Sequence, residues 1–223
     1  MLRVNLGILM GYEVYRLEDF IKLRKDNIKE LHKIFYERMR ISLRVGLFPS
    51  DLVKETDKTV FVYSFLEIVV DFIYRKFGLT EKKIVIMKEV PFSIVLGERL
   101  RKIIADYSVV ASESESSLVV VECKTASCDE AVKQCVAYLT AMFKGQTVYG
   151  ICTNTRRYRF ITYNPDLKEP RRYEGFKISR DFTLIFPDMF NLEELWLAEK
   201  TQAIDILYTI LTDQLELPPL SSI

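Results

Sequence analysis

Residues 103–138 read IIADYSVVASESESSLVVVECKTASCDEAVKQCVAY, and this stretch decides the fold. Lys102 to Ser112 is rich in apolar and β-branched residues, and Leu118 to Lys124 is apolar again after a Ser/Glu run, which predicts a β-hairpin. Residues 129–143 then carry apolar side chains at helical spacing, so we expect an amphipathic helix that covers the hairpin. The order of these elements predicts an α/β domain.

Two acidic residues lie almost equidistant from the centre of the hairpin loop, Asp106 on one strand and Glu122 on the other. If the strands pair about Ser114 or Glu115, the two carboxylates face each other with Cβ atoms roughly 4.5–5.5 Å apart. One divalent cation can bridge that spacing. Hard oxygen ligands of this kind favour Mg²⁺ or Mn²⁺.

Strand alternation places Glu122 and Lys124 on one face and Cys123 on the other. A lysine beside two carboxylates can orient an attacking water and offset charge that develops on a phosphate. A lone Glu-x-Lys is usually a weak surface ion pair. Asp106 in the middle of a hydrophobic strand is harder to explain in that way, because a buried acid needs a partner or a metal.

Gln134 and Tyr138 lie four residues apart on the following helix and therefore share a face. From that face, an amide and a hydroxyl can reach the edge of the carboxylate pair. A boundary polar residue and a tyrosine at the rim are the plain alternative.

Together, Asp106, Glu122-Cys123-Lys124 and Gln134-x-x-x-Tyr138 resemble the PD-(D/E)XK nuclease superfamily, in its RecB-like branch. The resemblance covers roughly residues 60–165 and implies a mixed sheet of about four strands, with a helix before it and a second helix packed across it. It implies that Asp106, Glu122 and the backbone carbonyl of Cys123 hold the metal, with Lys124 as the catalytic lysine. Ala105 stands where the family name has proline.

Members of this superfamily often carry a further acid on the preceding helix. Glu67 fits that role best here, inside the apolar segment Ser64 to Tyr74, where an acid is costly unless it is used. Asp71 lies one turn further and is the alternative. An acid on the helix surface near Arg75 is the plain reading of either residue.

Downstream, residues 147–153 and 158–163 read as two more strands. Three arginines at and after their turn, with aromatic residues between them, predict a grip on a nucleic-acid backbone with base stacking. The strand pair is also similar to that of restriction-type and Crinkler-type effector nucleases, although ordinary hairpin chemistry explains it nearly as well. The residues are Arg156, Arg157 and Arg159, with Tyr158 and Phe160 between or beside them.

The chain has 223 residues, of which 49% are hydrophobic, enough for one sizeable core. We expect a single domain over residues 1–223, with a helical extension at about 1–58, the nuclease core at about 60–165, and strands and a packing helix at about 166–223. The packing helix includes Leu195 and Trp196. A net charge of +1 requires nucleic-acid binding to rest on local basic patches.

Those patches are uneven along the chain. Leu17 to Arg44 holds eight Lys or Arg against five acids, whereas Asn191 to Leu217 holds six acids against one lysine. The amino-terminal helix or helix pair is therefore the expected nucleic-acid side, although an ordinary solvated face would look the same.

Four cysteines without a leader-like or membrane-length apolar segment suggest free thiols in a reducing, intracellular compartment, and no membrane association. No paired C-x-x-C spacing supports zinc or an iron–sulfur cluster. His32 is the single histidine. It keeps open a resemblance to cap-snatching RNA endonucleases, but a satisfied histidine on a helix surface is the plainer reading.

The sequence thus predicts a divalent-metal-dependent nuclease that acts on nucleic acid, with DNA expected before RNA. The alternative is a catalytically inactive module of the same fold that binds nucleic acid or a protein partner. A homodimer that cuts both strands is an option that the sequence leaves open.

Overall fold

The computed structural model describes residues 14–44, 55–79, 83–96, 99–113, 116–124, 128–155, 157–165, 175–183 and 202–222. The helices are α1 (Leu17–Phe20), α2 (Lys29–Arg44), α3 (Glu55–Phe77), α4 (Cys128–Met142) and α5 (Gln202–Gln214), followed by a 3₁₀ turn at Leu220–Ser222. The strands are β1 (Val14–Tyr15), β2 (Ile84–Leu96), β3 (Arg99–Ala111), β4 (Ser116–Cys123), β5 (Val148–Thr153), β6 (Arg157–Tyr163), β7 (Phe176–Ser179) and β8 (Phe182–Thr183).

All eight strands form one mixed sheet in the order β1-β7-β6-β5-β4-β3-β2, with β8 also paired to β6. The β4–β5 and β1–β7 pairs are parallel, and the others are antiparallel. The α/β class with a mixed sheet is confirmed, but the expected number of about four strands is wrong. The four strands predicted from the sequence correspond to β3 to β6, and the short strands β1, β7 and β8 have two to four residues, too few to show a period.

The central strand β4 separates two cores. Val119, Val121 and Cys123 pack on the face covered by α2, α3 and α5, which we call the first face. Val120 packs on the second face, which α4 covers. Glu122 has the same parity as Val120, so the predicted alternation along this strand is confirmed.

Along the β2–β3 hairpin, side chains of the same parity change from one face of the sheet to the other. Tyr107 and Val109 pack on the first face, whereas Ile103 and Ala105, of the same parity, pack with α4 on the second. Glu89 lies at this point with φ +55°, in the left-handed region. Beyond it, the segments Val90–Leu96 and Arg99–Ala105, here called the projecting ribbon, extend past the last β3–β4 pair.

The predicted amino-terminal helix pair corresponds to α1 and α2, and the predicted carboxy-terminal packing helix to α5. Leu195 and Trp196 lie outside the described residues. None of the helices in the described parts of the chain is both long and apolar enough to cross a bilayer.

Candidate active site

Glu122 is the centre of the site, at the end of β4 on the second face. Its side chain is 2% exposed and its Oε1 lies 2.7 Å from the Nζ of Lys124. The hydroxyl of Tyr138 lies 3.1 Å from Oε2. Each carboxylate oxygen is thus held by a different element, one by the residue that follows β4 and the other by α4.

The pKa of Glu122 is raised to about 7. Burial is the main cause, and the nearby charge of Asp106 adds to it. The hydrogen bond and charge of Lys124 and the hydrogen bond of Tyr138 oppose the rise without cancelling it. Without a cation, this carboxyl group therefore titrates near neutral pH, as expected for two acids held together.

Asp106 lies where β3 separates from β4. The last paired residues are Tyr107 and Val121, so Asp106 and Glu122 follow directly beyond them. The Oδ2 of Asp106 accepts a hydrogen bond of 2.7 Å from the backbone N–H of Cys123. The side chain therefore occupies the place that a strand carbonyl would otherwise take.

The same geometry directs the Cys123 carbonyl. In an extended strand, the N–H and C=O of one residue point to the same side. The carbonyl of Cys123 therefore points toward the side on which Asp106 lies, because the N–H of Cys123 donates to Asp106. These two strands thus supply two neighbouring carboxylates and one backbone oxygen directed to the side of Asp106.

Tyr138 is buried, at 1% exposure, and not a rim residue as the plain alternative had it. Its hydroxyl lies 2.7 Å from the carbonyl oxygen of Ile104 as well as near Glu122. A hydroxyl has one proton to donate. That proton is therefore shared between two acceptors, and the shorter distance is to the carbonyl of Ile104.

Gln134 lies one turn before Tyr138 on α4 and is exposed. Both residues line one cavity of about 230 Å³ beside the carboxylates. The predicted shared face is confirmed, since side chains of both residues line the same concave surface.

Glu67 is not brought to this site. It lies on the solvent side of α3, with its side chain 47% exposed, and its Oε2 is 3.8 Å from Arg38 on α2. Asp71, the alternative acid, pairs with Arg75 one turn later at 2.9 Å. Both acids make the surface ion pairs of the plain reading, because the buried side of α3 is filled by apolar residues.

The arginines predicted to bind a nucleic-acid backbone mostly form ion pairs within the protein. Arg159 is 12% exposed and bridges Asp129 of α4 and Asp181, with a contact of 2.6 Å to each. Arg157 is exposed and lies 3.9 Å from Asp181. Tyr158 and Phe160 are fully buried and cannot stack on bases, since both point into the first-face core. Arg156 lies outside the described residues.

His32 forms a contact with an acid outside this site. Its Nε2 lies 2.7 Å from the Oδ1 of Asp205, which links α2 to α5. All four cysteines are buried free thiols. Within the described ranges, no group of three or more His, Cys, Asp or Glu side chains is placed to hold a metal ion.

The donor set nevertheless suits Mg²⁺ or Mn²⁺. Magnesium sites in phosphate chemistry commonly use one or two carboxylates together with substrate oxygens and water. Asp106, Glu122 and the Cys123 carbonyl supply that number of hard oxygen donors, and a cation between the two acids would oppose the effect of burial and of the Asp106 charge on the pKa of Glu122.

Sequence reasoning missed two backbone groups that complete this site, the N–H of Cys123 and the carbonyl of Ile104. It also missed the projecting ribbon. The sequence from Val90 to Lys102 is rich in apolar and basic residues, a composition that is compatible with strands. That β2 and β3 each extend over 13 residues is seen only from their pairing.

The sequence matches no protein-family model and no curated protein. Among solved structures, the chain is similar to the type IIG restriction endonuclease BpuSI, with 14% identity and a TM-score of 0.39. The overlap covers 70% of this chain and 17% of that one, so the chain spans about a sixth of that protein's length.

Proposed function

We propose that this chain is a divalent-metal-dependent nuclease that hydrolyses phosphodiester bonds, with DNA as the expected substrate. The observation that carries the proposal is the convergence of Asp106, Glu122 and Lys124 at the point where β3 leaves β4. A buried acid with a raised pKa, here Glu122, beside a second carboxylate, a lysine and a cavity is typical of catalytic sites.

Asp106, Glu122 and the carbonyl of Cys123 would hold Mg²⁺ or Mn²⁺. When bound, such an ion polarises a phosphoryl oxygen and lowers the pKa of water, which supports in-line displacement. The chain's own groups position these donors. Tyr138 and Lys124 fix opposite oxygens of Glu122, and the N–H of Cys123 fixes Asp106.

Lys124 is the proposed catalytic lysine. Its side chain is 23% exposed and its Nζ contacts Glu122. From there it can orient the attacking water and stabilise the negative charge that grows on the phosphate oxygens as the P–O bond to the leaving group breaks.

Cleavage assays test this proposal directly. Supercoiled plasmid, linear duplex, single-stranded DNA and RNA are incubated with Mg²⁺ or Mn²⁺ and the wild type, Asp106→Ala or Lys124→Ala. We expect each variant to lose a factor of roughly 10² or more in rate. Glu113→Ala, an exposed acid at the hairpin turn, is the matched control and should cleave normally. A folded, inactive wild type would refute the proposal.

Calorimetric titration with Mn²⁺ tests the ligand set separately. Asp106→Ala and Glu122→Ala should each weaken binding, whereas Glu67→Ala should not, because Glu67 pairs with Arg38. Unchanged affinity in the first two variants would show that the ion binds elsewhere. Weaker binding by Glu67→Ala would return that residue to the ligand set.

A binding module without catalysis is the second candidate. The site is internally satisfied, since Glu122 contacts Lys124 and Tyr138, and Asp106 accepts from Cys123. Such a network can be purely structural. Tight nucleic-acid binding with no cleavage under either metal, and no effect of Lys124→Ala, would favour this candidate.

A further inference from the structure

The cavity beside the carboxylate pair has a composition that the proposed chemistry does not explain. It has a volume of about 230 Å³ and lies between the projecting ribbon and α4. Its walls are mainly aliphatic, with polar groups at the α4 side. The lining residues are Ile94, Ile103, Ile104, Lys133, Gln134, Ala137 and Tyr138.

Tyr138 lies between this cavity and Glu122. Its side chain lines the cavity, while its hydroxyl lies 3.1 Å from the carboxylate of Glu122. A group that fills the cavity therefore lies one side chain away from Glu122, a proposed ligand of the catalytic metal.

Basic side chains lie on both the ribbon and the α4 side of the cavity. Arg101 pairs with Ile94 across the ribbon, and paired residues share a face, so Arg101 lies on the cavity side. Lys133 stands on the α4 side and is exposed. Arg99 and Lys102 are exposed on the same strand. This charge complements an anionic backbone that enters the cavity from the ribbon.

We propose that the cavity binds the base of a nucleotide next to the scissile phosphate. The inference rests on the proposed function and names its substrate class, a nucleic-acid strand that is unpaired at the cleavage position. The aliphatic walls suit the faces of a base, and the Gln134 amide offers both a donor and an acceptor to its edge. The volume is below the roughly 300–1,000 Å³ of pockets for drug-sized ligands, which suits a single ring system.

A base enters such a cavity only when it is unstacked. A duplex must break pairing and stacking to supply it, whereas a single strand does not. The chain should therefore bind single strands more tightly than a blunt duplex of the same sequence.

Two matched substitutions on β3 test this inference. Ile103 lines the cavity and packs on the α4 side of the ribbon, whereas Leu100 is 72% exposed on the same strand and, by alternation, faces the opposite side. Ile103→Trp fills the cavity, and Leu100→Trp places the same side chain outside it. Thermal unfolding checks that each variant is folded.

Binding of a labelled 12-nucleotide single strand and of its blunt duplex is measured in EDTA by fluorescence anisotropy. We expect the wild type and Leu100→Trp to prefer the single strand by roughly tenfold or more, from the value of a base–protein stacking contact. Ile103→Trp should lose that preference. A single 2-aminopurine, moved along the strand, should show a fluorescence change that is confined to one position and absent in Ile103→Trp.

The inference is overturned if the wild type binds both forms equally, if Ile103→Trp keeps the preference, or if Leu100→Trp loses it. It is also overturned if no strand position responds to the 2-aminopurine scan. Cleavage is measured in parallel with Mn²⁺. A strand preference that depends on Ile103 without any cleavage would refute the nuclease and keep the base site, whereas cleavage without the preference would do the reverse.

Discussion

At the scale of single residues, Glu122 is the group whose environment departs furthest from that of a solvated acid. Burial and the charge of Asp106 disfavour its ionised form, and only Lys124 and Tyr138 oppose them. In the absence of metal, the folded protein therefore holds a proton on Glu122 at pH values where the unfolded chain has released it.

The first prediction concerns pH in the metal-free protein. The folded pKa of Glu122 is about 7 and the ordinary value is 4.5, so its contribution to stability is fully present below about pH 4.5 and is lost as pH rises through about 7. The loss is roughly 3 kcal/mol over that window. Urea unfolding at pH 5 and pH 8 in EDTA measures it.

Glu122→Gln is the informative variant for that measurement, because it keeps the shape and removes the titration. The difference in unfolding free energy between the two pH values should shrink by the amount above. Glu113→Gln, at the exposed turn, should leave the wild-type difference intact. An unchanged difference in Glu122→Gln would mean that Glu122 is ionised throughout.

At the scale of elements, the position of α4 against β5 decides whether Tyr138 reaches Glu122. Gly150 lies under this helix, and a Cβ there would overlap the Sγ of Cys135 and press on Leu139. The absence of a side chain at residue 150 lets the helix approach the sheet closely.

The second prediction follows from this contact. Gly150→Ala should lower the free energy of unfolding by about 1–3 kcal/mol, because it overpacks the interface. Cys135→Ala removes the sulfur, so the double variant should be less destabilised than the sum of the two single variants. A double-mutant cycle by urea denaturation measures this coupling, and strict additivity would show that the helix does not rest on residue 150.

At the scale of the whole molecule, the first and last described segments are tied together. Asp26 accepts a hydrogen bond of 2.8 Å from the hydroxyl of Tyr208 and one of 3.0 Å from the backbone N–H of Leu220. Arg24 lies 3.1 Å from Asp26 and donates to the carbonyl of Leu217. The carboxylate of Asp26 is nearly buried, at 5% exposure.

The third prediction is that Asp26→Ala destabilises the protein by about 3–5 kcal/mol, because it leaves buried partners of the carboxylate unsatisfied. Asp19→Ala is the matched control, since Asp19 makes an exposed ion pair with Arg16 and its loss should cost no more than about 1 kcal/mol. Thermal and urea unfolding compare the two. Equal effects would show that the network does not hold the segments together.

The sequence alone predicted the central β-hairpin, the opposition of Asp106 and Glu122 across it, and the helix that carries Gln134 and Tyr138. These features depend on local patterns. The patterns are the two-residue alternation of a strand, the symmetry of a hairpin about its turn, and the repeat of a helix. Such patterns are complete within a few neighbouring residues, so they can be read without knowledge of the rest of the chain.

The tertiary structure decided the features that depend on partners distant in sequence. Arg159 is neutralised by Asp129 and Asp181, 30 and 22 residues away, which no local pattern records. The burial of Tyr138 follows from its contact with Ile104, 34 residues earlier. Pairing, burial and charge compensation are properties of surfaces that meet only after folding, and they determine which of the predicted polar residues remain exposed and which are held inside the protein.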